Sequence, residues 1–301
     1  MKLINSSILF LACALSCACT KQNDHAGTSV PDRQIVFRTS VPEVIVGTKS
    51  GVNEVTESNL NNIAVMATTG AAGSETQVWN TWIEKSGSDF HSGKYWPLEN
   101  PGYHFYAANS SLVIDPSWEV ILDRSEQLPV DIVCATVWSP VFFSMDPALY
   151  RGENLAFEHV MARIGSISAS SSKGYSISGL TVRISDYCYE ADYHLRTGEW
   201  VYDYRGDSKT LLVNADGSAR NNNTTANNGG AILPGTWEIT ASFQLRKGDF
   251  SNQYTKTGTV NLAKGKITSI VIDISIDDAV ECTFNTSVSP WTGADLPLTV
   301  E

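Results

Sequence analysis

Residues 155–170, LAFEHVMARIGSISAS, lie near the middle of the chain and decide its fold class. Leu155 and Phe157 alternate with small or charged residues, as in a β-strand whose successive side chains point to opposite faces. Beyond His159 the apolar positions change parity, which indicates either a β-bulge there or a strand covered on both faces. The stretch also contains good helix formers, so a helix is the alternative. The Gly, Ser and β-branched residues in 165–179 favour the strand.

The sequence on both sides of this stretch has the same β character. Apolar residues alternate over short runs that are bounded by Gly, Pro, Asn and Ser, and Arg196-Thr197-Gly198 and residues 263–266 read as hairpin turns. No helix longer than about two turns is predicted. The chain is therefore predicted to be all-β, with one β-sandwich domain over residues 33–152 and a second over 153–301.

Composition limits the possible partners. The 301 residues are 42% hydrophobic, enough for sizeable cores, and carry a net charge of −11 with only 18% charged residues. A nucleic-acid partner would require a basic stripe, so none is predicted. An acidic balance is compatible with an exported protein, although it says nothing of the fold.

The first nineteen residues are predicted to be an export signal. Lys2 precedes an apolar run over residues 4–18, which is too short for a typical membrane span and indicates cleavage. The run ends in LSCACTK, in which small residues precede each cysteine, as in a bacterial lipobox. Cys19 is the predicted lipidation site, and an ordinary secretory signal is the alternative. Residues 20–32 are predicted to be a flexible tether.

No motif in the sequence predicts catalysis, a metal or a cofactor. The five histidines lack metal-ligand spacing, and no G-x-S-x-G, P-loop or G-x-G-x-x-G occurs. Neighbouring carboxylates could hydrolyse glycosides only at a defined separation, which the sequence does not reveal. We therefore predict a protein that is not an enzyme, without catalytic residues, metal or cofactor. The candidate carboxylates are Asp131, Asp146, Glu153 and Glu158.

Single residues that suggest chemistry have structural alternatives. His159 is predicted to be a structural histidine bonded to a neighbouring strand or domain, rather than a ligand or base. Cys134, Cys188 and Cys282 are predicted to be buried free thiols, although an exported protein permits one disulfide. Tryptophans are dense in the first half and could stack on sugars, but core or edge positions are the favoured interpretation. These tryptophans are Trp79, Trp82, Trp96, Trp118 and Trp138.

The two ends of the exported chain favour assembly by strand addition. The strand predicted in residues 33–46 lies between the tether and an exposed loop over 47–59. The tail alternates Leu296, Leu298 and Val300 with other residues, so it predicts a donor strand. An ordinary terminal strand with a frayed end is the alternative.

Several motifs together resemble the fimbrillin-like family, the pilus subunits of the Bacteroides group. In chain order they are Cys19-Thr20-Lys21; IVFRTSV of the first strand leading to Thr48-Lys49; Tyr95-Trp96-Pro97 followed by His104-Phe105-Tyr106-Ala107; Asp131-Ile132-Val133; the pattern Leu155-x-Phe157-x-His159-x-x-Ala162-x-Ile164; and Val288-Ser289-Pro290-Trp291. The resemblance covers nearly the whole chain, and the order of the motifs is more specific than any one of them.

The resemblance implies a fold and a way of assembly. It implies two transthyretin-like Greek-key β-sandwich domains in tandem, export as a palmitate-bearing outer-membrane lipoprotein exposed on the cell surface, proteolysis after the first strand, and strand exchange with other pilus subunits in a fimbrium. Where the family often has an arginine at the cleavage site, this loop has Lys49, and Arg38 lies within the strand.

The predicted function is that of a structural or tip subunit of a pilus that serves cell adhesion, with a host or glycan receptor as a further partner. A surface glycan-binding lipoprotein of a polysaccharide-uptake system is the alternative. Shaft, tip and anchor subunits are not distinguished by these motifs.

Overall fold

The computed structural model describes residues 34–42, 54–97, 102–109, 119–122, 131–139, 152–215, 219–221, 231–276 and 279–291. Throughout these ranges the regular structure is β, apart from one 3-10 turn at Ser172–Gly174. No helix in the described part of the chain has the length and apolarity to cross a membrane. The predicted all-β class is confirmed.

The strands of the described ranges are numbered in chain order. They are β1 Gln34–Ser40, β2 Asn62–Thr69, β3 Thr76–Ser86, β4 Asp89–Tyr95, β5 Tyr103–Asn109, β6 Glu119–Leu122, β7 Val133–Ser139, β8 Glu153–Ala156, β9 Glu158–His159, β10 Ala162–Ser171, β11 Ser176–His194, β12 Glu199–Ala215, β13 Ala219–Asn221, β14 Ala231–Ile232, β15 Gly235–Lys247, β16 Phe250–Leu262, β17 Lys266–Ile276 and β18 Val280–Pro290.

Eight strands form the first sheet, in the order β8-β1-β4-β3-β2-β5-β7-β9. Neighbours are antiparallel except β1 and β8, which are parallel. The edge strands β8 and β9 are separated in sequence by Phe157 alone, so the sheet must curl until its two edges lie close together. The curled sheet surrounds a buried cluster that includes Phe37, Phe90, Phe105 and Phe157.

Two further sheets build the rest of the fold. One runs β13-β10-β17-β18, with β14 also paired to β10, and the other runs β12-β11-β15-β16, with β6 also paired to β11. Every second residue from Trp237 to Leu245 in β15 is buried, and the buried residues of β17 alternate in the same way. These inner faces belong to one hydrophobic cluster, as in two sheets packed face to face.

The central stretch is strand with two interruptions, at Phe157 between β8 and β9 and at residues 160–161 between β9 and β10. Leu155, Phe157 and His159 are buried and the residues between them are exposed, so alternation continues through β9. The chain then leaves the first sheet at Val160 and enters β10, whose first residues are buried on both faces. Coverage on both faces therefore explains the change of parity, and the helical alternative is wrong.

Strands also cross the predicted boundary at residue 152. β8 and β9 follow the boundary but complete the first sheet, whereas β6 precedes it and pairs with β11. The described residues from 34 to 291 belong to one compact unit. The division into tandem transthyretin-like domains stays a prediction.

Candidate functional site

The first strand, β1, is the described element that strand exchange would use. It lies between β8 and β4 and pairs with both, so its backbone belongs to two ladders. Ile35 and Phe37 are completely buried, because alternate residues of the strand point into the first core. The Phe37 ring meets Phe105 edge to face, with 5.1 Å between centroids. Each such side chain contributes about 1.5–3 kcal/mol by its burial.

Polar contacts also attach β1 to its neighbours. Ser92 Oγ donates to the Ile35 carbonyl at 2.7 Å, and the Phe157 amide donates to the Ser40 carbonyl at 2.8 Å. Thr39 Oγ1 donates to the Glu57 carboxylate at 2.7 Å, and that carboxylate also pairs with Lys85 at 3.1 Å. The strand is thus held along its whole length.

Gly152 permits the close approach of β8 to β1. Its φ of +97° lies in a region that L side chains rarely adopt, and a Cβ there would lie 2.9 Å from the Val36 carbonyl oxygen. Only glycine meets both conditions without strain. The parallel pairing of β8 with β1 therefore depends on Gly152.

The junction of the first sheet with the later sheets contains a buried polar cluster. His159 Nδ1 donates to the Asp131 carboxylate at 2.9–3.0 Å, and the Val55 amide donates to the same carboxylate at 2.8 Å. The His159 ring stacks on Trp291, with centroids 4.6 Å apart and planes inclined by 4°. The predicted bond of His159 to a neighbouring segment is present, with Asp131 as its partner, and Trp291 covers one face of the ring.

A buried ion pair lies in the same junction. Arg163 on β10 pairs with Glu54, which precedes β2, and both side chains are almost completely buried. Burial raises the pKa of Glu54, and the neighbouring Arg163 opposes that rise. No set of three metal-ligating side chains lies close enough among the described residues to hold a metal ion. The buried polar cluster therefore links segments that are distant in sequence.

The three cysteines of the described chain are all free. Cys134 and Cys188 are buried, and Cys282 is half-buried. Burial raises the pKa of the Cys282 thiol, and the charge of Lys256 opposes that rise. Thiols whose pKa is raised react weakly, because the thiolate is the nucleophile. The prediction of buried free thiols is confirmed for Cys134 and Cys188, whereas Cys282 is free but only half-buried.

Comparison with known proteins identifies the family. A family model described as fimbrillin-like matches residues 48–291. The chain belongs to the fimbrillin-like family. No curated protein sequence matches this fimbrillin-like chain.

Several solved structures are similar to this fimbrillin-like chain in shape. Proposed cell adhesion proteins from Bacteroides uniformis ATCC 8492 and Bacteroides ovatus ATCC 8483 are each 15% identical, with TM-scores of 0.48 and 0.47, covering 87% of this chain and 99% of theirs. The fimbrial anchor protein Mfa2 from Porphyromonas gingivalis is 9% identical, with a TM-score of 0.41, covering 86% of this chain and 98% of its own.

Most of the site residues predicted for this fimbrillin-like chain lie outside the described residues. They are Cys19, Lys49, Leu296, Leu298 and Val300. Arg38 is described: it lies within β1, opposite Asn154 of β8, and its half-exposed guanidinium is 3.6 Å from Asp89. A protease would have to unpair β1 to reach the Arg38 peptide bond.

The described residues on either side of Lys49 are attached to the fold. Before it, the Val41 amide donates to Glu57 at 3.0 Å. After it, Glu54 and Val55 contact the junction through Arg163 and Asp131, so the predicted exposure of the loop over residues 47–59 is wrong at these two buried residues. A cut at Lys49 would therefore leave the segment from Glu54 onward anchored, while the segment before Lys49 would be held only through β1 and its contacts.

Proposed function

We propose that this protein is a non-enzymatic subunit of a cell-surface pilus, exported as an outer-membrane lipoprotein and assembled by strand exchange, with adhesion as the biological outcome. Membership of the fimbrillin-like family carries the proposal. The position of β1 between two partner strands supports it, because removing that strand would leave two ladders without partners.

In the proposed assembly, cleavage at Lys49 releases the segment that contains β1. The core side chains that pack on Ile35 and Phe37 would then face water. The backbone N–H and C=O groups of β4 and β8 that pair with β1 would lose their partners. Each buried unpaired backbone group costs about 1–3 kcal/mol. An extended segment with alternating apolar side chains removes both penalties.

The proposed donor is the tail of a neighbouring subunit. Leu296, Leu298 and Val300 have the same spacing of two as Ile35 and Phe37 of β1. The tail follows Trp291, which is anchored by its stacking on His159 and by its amide, which donates to the Gly265 carbonyl at 3.1 Å. The ten residues after Trp291 would span about 33 Å as a strand, enough for the apolar part to enter a neighbour's groove.

Electron microscopy with immunogold tests the pilus proposal most directly. Cells that express the full chain should carry labelled filaments, and cells that lack it should lose the label.

The side-chain spacing of the tail supplies a matched pair of variants. We expect Leu298→Asp to abolish filaments because the charge enters the groove, and Thr299→Asp, of opposite parity, to retain them. Equal filaments from both variants would exclude the tail as donor.

Two further measurements test processing. Labelled palmitate should be retained by Cys17→Ser and lost by Cys19→Ser; the reverse pattern would overturn the lipidation site.

N-terminal sequencing of assembled protein should start at Ser50. A start at residue 19 or 20 in assembled material would contradict cleavage at Lys49.

A further inference from the structure

Two adjoining clefts lie where the first sheet meets the β11–β12 turn. The larger has a volume of about 370 Å³ and the smaller about 230 Å³, and both are lined by Thr136, Leu195 and Arg196. We call the combined feature the β7 groove, and its polar and aromatic lining includes Glu75, His104, Trp138, Glu158, Arg196 and Lys264. Ligand sites often occur at such junctions, and their volumes are typically about 300–1,000 Å³.

Trp138 supplies an accessible aromatic face at one end of the groove. Its side chain is 50% exposed although it lies on β7, a strand paired on both sides elsewhere along its length. His104 lies opposite it on β5, with ring centroids 5.2 Å apart. The ring is thus presented on a sheet, where its position is better fixed than on a loop.

Arg196 lines both clefts of the groove, and the buried carboxylate of Glu75 holds it in place. Its guanidinium is 3.2 Å from Glu75 Oε2, and the Glu75 side chain is almost completely buried. Glu75 also accepts from Tyr106 Oη at 3.1 Å and from the Gly73 amide at 3.0 Å. A buried carboxylate with these donors orients an arginine that is itself partly exposed.

Lys264 occupies the far end of the groove. Its ammonium donates to the Gly198 carbonyl at 2.8 Å and to Tyr193 Oη at 3.2 Å, which ties the turn between β16 and β17 to the turn between β11 and β12. Glu158, exposed on β9, lines the same cleft. Hydrogen-bond donors and acceptors therefore both line the groove beyond the tryptophan.

We propose that the β7 groove binds a neutral oligosaccharide. One sugar ring would lie with its C–H face on Trp138, since aromatic faces carry negative charge and attract C–H groups. The described lining contains two cations, Arg196 and Lys264, and two carboxylates, Glu75 and Glu158. Equal numbers of cations and carboxylates do not favour an anionic ligand. They suit the hydroxyl groups of a neutral sugar, which both donate and accept hydrogen bonds.

The dimensions of the groove favour more than one sugar ring. Trp138 lines only the smaller cleft and Lys264 only the larger, while Arg196 lines both. A ligand that uses all three must pass from one cleft into the other. Use of the groove in adhesion rests on the proposed pilus function, whereas saccharide binding by the protein does not.

The test uses the full chain purified in detergent. Isothermal titration measures its affinity for soluble hexasaccharides of glucose, mannose, galactose and xylose, with hexagalacturonate as the acidic probe. We expect at least one neutral hexasaccharide to bind, and Trp138→Ala to weaken that binding about tenfold or more. Arg196→Gln is expected to weaken it as well, and Trp138→Tyr to retain most of it.

Trp82 provides the matched control. It is 49% exposed on β3 and lines neither cleft, so Trp82→Ala should leave the affinity unchanged. The inference is overturned if no neutral hexasaccharide binds, if only hexagalacturonate binds, or if Trp138→Ala binds as well as wild type. Filament formation by cells that express the wild-type chain is scored separately. Saccharide binding without filaments would contradict the pilus proposal alone, and filaments without saccharide binding would contradict the groove proposal alone.

Discussion

At the scale of single residues, Lys209 on β12 is a cation placed where charge is costly. Its side chain is buried, its ammonium lies 4.9 Å from the centre of the Tyr187 ring, and burial lowers its pKa to about 8. An unfolded lysine has a pKa near 10.4. The folded state therefore releases the proton first, and stability should rise with pH between about 8 and 10.

We predict that Lys209→Met raises the free energy of unfolding at pH 7 by about 1–2 kcal/mol. Each unit of pKa difference corresponds to about 1.4 kcal/mol, and the favourable contacts of the ammonium, which include the cation–π contact with Tyr187, are lost in exchange. Guanidinium unfolding at pH 7 and pH 10 provides the measurement. The variant should lack the rise in stability that wild type shows over this interval. Lys266→Met, at an exposed lysine, should change stability by less than about 0.5 kcal/mol. A less stable Lys209→Met protein with an unchanged pH response would contradict the prediction.

At the scale of elements, the contact between β8 and β1 depends on Gly152. Gly152→Ala combines a positive φ with a Cβ 2.9 Å from a carbonyl oxygen of β1, whereas Gly73, at φ +87°, has no atom within 4 Å of such a Cβ. We predict a cost of about 2–3 kcal/mol for Gly152→Ala and about 1 kcal/mol for Gly73→Ala, because a strained backbone alone costs about 1 kcal/mol or more.

Hydrogen exchange locates the effect of the two glycine variants. Gly152→Ala should accelerate exchange of the amides in residues 34–40, since β1 loses its close contact with β8. Gly73→Ala should leave those amides as protected as in wild type. Equal protection of β1 in both variants would show that the close approach at Gly152 does not hold the strand.

The elements also show how far the sequence predicts the fold. The alternation of apolar residues predicted after the central stretch is present in β15 and β17, and the turns at 196–198 and 263–266 do connect β11 to β12 and β16 to β17. The parallel pairing of β8 with β1 was not predicted, because alternation indicates which face is buried and not which strand lies beside it. For the same reason the sequence indicated a bonded His159 but not its partner, Asp131. Arg196 and Lys264 read only as turn residues, since their shared groove depends on tertiary structure.

At the scale of the whole molecule, the Glu54–Arg163 pair connects the first sheet to β10. Removing one partner leaves an unpaired charge in the interior, which costs about 3–5 kcal/mol. We therefore predict that Arg163→Met is strongly destabilising. The double variant Glu54→Leu with Arg163→Met should recover much of the loss, because an apolar pair leaves no buried charge.

The pH dependence of the Arg163→Met variant gives the sharper test. Burial already raises the pKa of Glu54, and removing the arginine should raise it further, because that guanidinium favours the ionised carboxylate. A carboxyl group whose folded-state pKa is raised stabilises the protein below its unfolded pKa, and this stability is lost as pH rises through the folded pKa. The deficit of Arg163→Met relative to wild type should therefore shrink as pH falls from 7 to 5.

Calorimetry at pH 5, 6 and 7 measures this deficit, and it also shows whether the junction keeps unfolding cooperative. We expect Arg163→Met to broaden or split the transition at pH 7, because the buried charge weakens the contact between the first sheet and the later sheets. The double variant supplies the control, since it has no carboxyl group at position 54 and should show neither the splitting nor the pH-dependent recovery. A deficit that is the same at all three pH values would place the cost of Arg163→Met in lost packing, and not in the charge of Glu54.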